Sequence, residues 1–195
     1  MMTDTPNLLF DMPVSGYRYL LVISPSKEIT RAVDILKEKV EEAIGSYRYR
    51  HSKAHITLFF ADLPAECERD LCEGIQRGVV GHDAFHLRYN GITHFENKQT
   101  IYIDPVDKQP INSVRKSIVA HVSSYKRLKK LGINPSDRPH LTIAAGLQPN
   151  QFQAALGLLA PHAFEREDRV AEITLLRKDL RANDTYQHVR SFPLG

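Results

Sequence analysis

His55-Ile56-Thr57-Leu58 and His140-Leu141-Thr142-Ile143 are two copies of one pattern, His-x-Thr-x with an apolar residue at each x, one in each half of a chain of 195 residues. In an extended strand, residues i and i+2 face the same side. Each copy therefore presents an imidazole beside a hydroxyl, while Ile56 and Leu58, or Leu141 and Ile143, turn the other way into a core. Two such strands brought together assemble two histidines and two threonines around one space. That is the equipment for acid–base chemistry on a phosphate.

Working outward from the first copy, Tyr17 to Ile23 reads as a buried strand stopped by Ser24-Pro25. Ile29, Val33, Leu36, Val40 and Ile44 then recur at helical spacing and end at Gly45. A polar loop over 46–53 leads into the motif strand Ala54 to Phe60, Pro64 opens a helix reaching Val80, and Phe85 to Phe95 returns as β with a break or bulge at Gly91. The second half repeats this order. Thr100 to Val106 is a strand, and Pro110 opens a helix whose stripe runs through Ile111, Val114, Ile118, Val122, Tyr125 and Leu128 to Gly132. The motif strand His140 to Leu147, a helix from Pro149 to Leu159 and a strand from Val170 to Leu176 follow.

The separation from Leu21 to His55 resembles that from Ile101 to His140, and His55 to Ile92 resembles His140 to Ile173. Matched offsets indicate an internal duplication, with two lobes about a pseudo-twofold axis and the motif strands side by side. The expected fold is α+β and bilobal, two antiparallel sheets flanked by helices with a cleft between lobes. One domain spans 16–195, with lobe repeats near 17–97 and 98–180 and a closing strand at 185–193. Residues 1–15 are expected to be a loosely held tail, because Leu8-Leu9-Phe10 is too short and too acid-flanked for a signal-peptide core.

Composition narrows the class. Hydrophobic residues at 42% and charged residues at 25% suit a globular chain, and a net charge of +3 neither demands nor excludes nucleic acid. Cys67 and Cys72, the only cysteines, sit five apart on a helical stretch and point to different sides, which suits a reduced, cytoplasmic setting better than a disulfide. No apolar run approaches the ~20 residues needed to span a bilayer, so no membrane partner is expected. Nothing in the sequence requires more than one copy of the chain.

Two His-x-Thr-x motifs on strands of a duplicated α+β unit, the second preceded by Arg138-Pro139, resemble the 2H phosphoesterase superfamily, which includes the RNA 2′,3′-cyclic phosphodiesterases also called 2′-5′ RNA ligases. The resemblance covers about residues 17 to 192. After the second motif, where relatives often carry a basic residue, this chain has Ala144-Ala145-Gly146. The resemblance implies metal-independent hydrolysis of a 2′,3′-cyclic phosphate or related phosphodiester at an RNA or nucleotide end, with 2′-5′ ligation as the reverse reaction. His55 and His140 would be catalytic, Thr57 and Thr142 phosphate-binding, and no cofactor or metal is expected.

The residues themselves are consistent with those roles. Two imidazoles with pKa values near about 6.5 can divide base and acid duties at neutral pH. Hydroxyl groups can donate to non-bridging phosphate oxygens. The other seven of nine histidines lack the repeated context. Neither motif has an adjacent carboxylate or the helical spacing of a zinc site. For the RNA end or nucleotide itself, Tyr47, Arg48, Tyr49 and Arg50 alternate rings with cations, as a single-strand binder does, although a solvated loop with tyrosine packed on the helix reads equally well. Phe59 shares the His55/Thr57 face on strict alternation and either walls the site or joins the core. Lys126-Arg127 and Lys129-Lys130 suit a helix C-terminus. The alternative from another class is a non-catalytic RNA-end or nucleotide-binding module using the same cleft.

Overall fold

A continuous apolar run gives β1 (Gly16–Ile23), buried over most of its length, and Ser26 then caps α1 (Lys27–Ile44) by accepting from the Ile29 amide. The computed structural model describes residues 16–182 and 185–195, so the expected tail lies outside the described residues. The first motif enters β2 (Ile56–Pro64); a short 3-10 turn and α2 (Glu68–Val79) follow, and then β3 (Phe85–Phe95). The second half runs β4 (Thr100–Pro105), α3 (Gln109–Ser124), α4 (Lys126–Leu131), β5 (Asn134–Pro135), β6 (Leu141–Ala144) and α5 (Pro149–Leu159). It closes with β7 (Glu165–Val170), β8 (Glu172–Asp179) and β9 (Gln187–Pro193).

Besides the two-residue β5, which is not among the expected elements, three elements differ from the expectation. The helix from Pro110 breaks at Tyr125, whose ψ of 114° is extended, and restarts as α4. The motif strand expected to reach Leu147 ends at Ala144. Strand β7, with the sequence EREDRV, has no sequence signal, because it is an edge strand paired only with β3 and buries only Asp168 and Val170.

All pairings are antiparallel, in two sheets ordered β5-β2-β1-β8-β9 and β6-β4-β3-β7. At the centre of one sheet β1 is flanked by β2 and β8; at the centre of the other β4 is flanked by β6 and β3. The duplication is therefore present with its third strands exchanged: β3, from the first half, completes the second sheet, and β8, from the second half, completes the first. The sequence repeats do not coincide with the sheets.

The helices obey the same pseudosymmetry. The first helix of each repeat packs on the second helix of the other, α1 on α5 and α3 on α2. At the α2–α3 crossing Gly74 and Gly78 let the backbones meet. A Cβ on Gly78 would lie 2.4 Å from the Ile118 Cα, and one on Gly74 2.9 Å from the Val122 Cα. One continuous core, including Ile23, Val33, Leu58, Ile103, Ile118 and Ile143, ties sheets and helices together. Exchange and cross-packing hold the two motif strands in a fixed relation.

Candidate active site

Both motif strands carry the same irregularity in the same place. Opposite β1, Val22 pairs with Thr57 and Leu21 with Phe59, so Leu58 is an extra residue; opposite β4, Tyr102 pairs with Thr142 and Ile101 with Ala144, so Ile143 is extra. These are β-bulges, and each inserts one residue and re-aims those after it. Up to the bulge alternation holds: Ile56 and Leu141 are buried, Thr57 and Thr142 half-buried on the opposite face. Beyond it two successive side chains go inward, Leu58 with Phe59 and Ile143 with Ala144. Phe59, expected as a possible wall of the site, is thus a fully buried core residue, and Phe60 takes the place beside Thr57.

The histidines are held alike. His55 Nδ1 lies 2.8 Å from the Lys53 carbonyl oxygen and His140 Nδ1 lies 2.7 Å from that of Arg138. A carbonyl only accepts, so Nδ1 carries the proton in both rings, and each Nε2 keeps a lone pair when neutral or donates when protonated. Burial lowers the pKa of both rings below its ordinary value. At His55 the Lys53 carbonyl opposes the shift, and Lys37 and His140 reinforce it. At His140 the Arg138 carbonyl and Asp104 oppose it, while Lys98 and Lys108 add to it. Phe95 and Tyr102, stacked at 4.2 Å, set their rings edgewise to His140 at 5.2 and 5.3 Å.

The loops that offer those carbonyls are themselves clamped by buried cations. Lys37 on α1 donates from Nζ to the Ser52 carbonyl, and Arg115 on α3 donates from Nη1 to the Ser136 carbonyl at 2.7 Å and to Asp137 Oδ1 at 2.8 Å. The second loop also bridges the motifs: β5 pairs with Phe59 and Phe60, and the Ser136 amide donates to the Leu58 carbonyl at 2.9 Å. Sequence reading missed Lys37 and Arg115. The signal was there, because each cation falls on its helix's apolar stripe, between Val33 and Val40 or Ile111 and Ile118, where a solvated charge does not belong.

Thr57 and His140 line one cleft of about 670 Å³, reached from opposite sheets. Phe60, Arg18 and Tyr186 flank it on one side, Phe95, Lys98 and Arg138 on the other. His55 precedes β2 on the Thr57 face and lies within electrostatic reach of His140. The 47–50 loop presents only part of its row to solvent. Tyr47 is buried and donates its hydroxyl to the Ile143 carbonyl at 3.3 Å, and Arg50 pairs with Glu41 at 2.8 Å, so both serve packing. Arg48 and Tyr49 remain exposed, stacked on one another at 5.2 Å and lying against Gly146 beyond the second motif. Lys129 and Lys130 end α4, as expected, whereas Lys126 and Arg127 open it after the break at Tyr125, and Arg127 pairs with Glu66.

Among the described residues no three His, Cys, Asp or Glu side chains converge as metal ligands, and no helix is long and apolar enough to cross a membrane.

The 2′-5′ RNA ligase superfamily matches residues 24–182 of the chain. "Putative phosphoesterase OB1230" of Oceanobacillus iheyensis is 27% identical over 184 residues, 91% of this chain and 98% of that protein. A protein of the same description from Staphylococcus aureus strain JH1 is likewise 27% identical, over 90% of this chain and 98% of its own length. Among solved structures, TT0787 of Thermus thermophilus superposes with a TM-score of 0.67 at 19% identity, over 91% of this chain and 97% of that one. Escherichia coli LigT complexed with 3′-AMP gives 0.66 at 16% identity, over 92% and 98%. The same fold in those proteins matches the two antiparallel sheets and flanking helices described above.

Proposed function

The chain belongs to the 2′-5′ RNA ligase superfamily, and from that premise we propose that it is a metal-independent phosphodiesterase that opens a 2′,3′-cyclic phosphate, or a related phosphodiester, at an RNA or nucleotide end. The observation that carries this reading is the pair of His-x-Thr strands. Both imidazoles carry the proton on Nδ1, so both can offer Nε2, and the two threonines sit before identical bulges. Water attacks phosphorus and gives a proton to the neutral imidazole. The bond from phosphorus to a ribose oxygen breaks in line with the attack, and that oxygen takes a proton from the other, protonated imidazole. Thr57 and Thr142 hydroxyls donate to the non-bridging oxygens, each contributing on the order of a few kcal/mol as charge builds there.

With a ribose 5′-hydroxyl in place of water as the nucleophile, the same groups form a P–O5′ bond as the bond from phosphorus to the 3′ oxygen breaks, which leaves a 2′-5′ linkage; concentrated water favours hydrolysis. That solved LigT structures include complexes with 3′-AMP, ATP and NADP+ supports a nucleotide as the ligand. The test is turnover of adenosine 2′,3′-cyclic phosphate by EDTA-treated protein, with His55→Ala and His140→Ala each expected to lose at least ~100-fold. Activity that disappears on chelation and returns with one metal overturns the acid–base roles. Saturable binding without turnover makes the cleft a nucleotide-binding module.

A further inference from the structure

The two walls of the cleft differ in charge. On the first sheet, Arg18 is held by Asp62 through two hydrogen bonds, at 2.7 and 2.6 Å, with its guanidinium 5.4 Å from the centre of the Phe60 ring. Its charge is matched, and this wall, with Leu20, Phe60 and Tyr186, is aromatic and apolar in character. On the second sheet, Lys98 and Arg138 lie over the Phe95 ring at 5.9 and 5.7 Å. Neither forms an ion pair among the described residues: nearby Asp104 is taken by Lys108, and Asp137 by Arg115. Two unmatched cations therefore share one aromatic support within the cleft, next to His140, whose protonation Lys98 disfavours.

A ribose bearing a 2′,3′-cyclic phosphate has two further substituents, the base on C1′ and the 5′ oxygen beyond C4′, which leave the sugar ring on opposite sides of its ring oxygen. With the cyclic phosphate at the His-x-Thr pair, one substituent meets each wall. A base gains from stacking on the aromatic wall. A phosphate on the 5′ oxygen gains charge-assisted hydrogen bonds from unmatched Lys and Arg, whereas at the other wall it would meet an arginine already neutralised and the carboxylate of Asp62.

We propose that Lys98 and Arg138 form a subsite for a phosphate on the 5′ oxygen of the ribose whose 2′,3′ end is processed. The inference rests on the phosphodiesterase reading for its placement of the ribose. It specifies the substrate as a nucleotide phosphorylated at the 5′ position, as the terminal residue of an oligonucleotide is, in preference to a bare nucleoside cyclic phosphate.

Calorimetric binding of adenosine 3′,5′-bisphosphate and of 3′-AMP tests the subsite without need of turnover. The wild-type chain should bind the bisphosphate at least ~10-fold more tightly, a preference that shrinks as salt rises. In the Lys98→Gln/Arg138→Gln double variant the ratio should fall to within about 2-fold, while Lys129→Gln, which removes a cation outside the cleft, keeps the wild-type ratio. A wild-type ratio under about 3-fold, no measurable binding of the bisphosphate, or a preference that survives the double substitution overturns the subsite. Adenosine 2′,3′-cyclic phosphate with and without a 5′-phosphate separates the two inferences. Turnover with no 5′-phosphate preference removes the subsite and keeps the phosphodiesterase reading. A binding preference without turnover does the reverse.

Discussion

Lys37 and Arg115 are pseudosymmetric partners: each projects from the first helix of its repeat, buried, onto a carbonyl of the loop that leads into that repeat's motif histidine. Burial pushes the Lys37 ammonium below its ordinary pKa, against the pull of Asp34, so holding it charged there opposes folding stability unless the loop carbonyl compensates. The next residue's carbonyl, that of Lys53, is the one that accepts the hydrogen bond donated by His55 Nδ1. The cation thus positions the histidine through the loop.

Lys37→Met keeps the stem and removes the charge. It should lower kcat roughly 10- to 100-fold by loosening the loop, with a change in stability of about 1 kcal/mol. A purely structural role would stop there. Because the Lys37 charge disfavours protonation of His55, its loss should also move the His55 limb of the kcat/KM profile to higher pH. Lys37→Arg should restore part of both effects. Arg115→Met should lower kcat without moving that limb.

The depressed pKa of both histidines fixes the sign of two pH effects. Between the folded values and the unfolded value of about 6.5, the unfolded chain holds more protons. Stability from these groups is therefore complete above that window and is lost as pH falls through the folded values. Urea unfolding at pH 7.5 and pH 5 should show a loss in the wild type that is smaller in His55→Gln/His140→Gln. The kcat/KM profile, which reports the free enzyme, should be bell-shaped with its maximum below about pH 6.5. A maximum above pH 7 would contradict the burial of these rings.

The α2–α3 crossing depends on absent side chains. At Gly78 a methyl group would overlap the Ile118 backbone at 2.4 Å, and backbone cannot rotate away as a side-chain tip can. Gly78→Ala should therefore destabilise by roughly 2–3 kcal/mol as overpacking forces the helices apart, or a Tm drop of about 5–10 °C for a chain this size. Gly74→Ala, at 2.9 Å, should have a smaller effect. Equal Tm values for Gly78→Ala and wild type would mean the helices are not held at this distance in solution.

Local pattern carried the motifs, the helices and their apolar stripes, because periodicity is written residue by residue. It did not carry the exchange of β3 and β8, since each half's third strand reads identically whichever sheet it joins, and only the partners decide. Strand β7 was hidden by its charges, and β5 by being two residues long and containing a proline. At the cleft, Thr57 and His140 lie where alternation puts them. The cleft walls do not: Phe95 with Lys98, Arg138, and Tyr186 come from three separate segments whose meeting depends on the sheet pairing. The tyrosine-arginine loop left two readings open because its composition suits both solvent and a ligand, while in the fold Tyr47 and Arg50 find partners on β6 and α1.

The bulge at Leu58 makes a prediction that separates two adjacent phenylalanines. Strict alternation would put Phe59 on the cleft with Thr57, and Phe60 in the core. The extra residue inverts this, leaving Phe59 with no exposed surface and Phe60 37% exposed on the cleft wall beneath Arg18. Phe59→Ala should lose about 3–5 kcal/mol of stability, as truncation of a buried aromatic ring does. Phe60→Ala should unfold within about 1 kcal/mol of wild type, since it empties no core volume, yet raise KM for an adenosine cyclic phosphate several-fold by removing a stacking surface worth roughly 1–3 kcal/mol. Chemical denaturation and steady-state kinetics on the two variants decide it. If Phe60→Ala is the destabilised protein and Phe59→Ala the one with raised KM, the strand runs without a bulge, and the cleft wall must be redrawn one residue back.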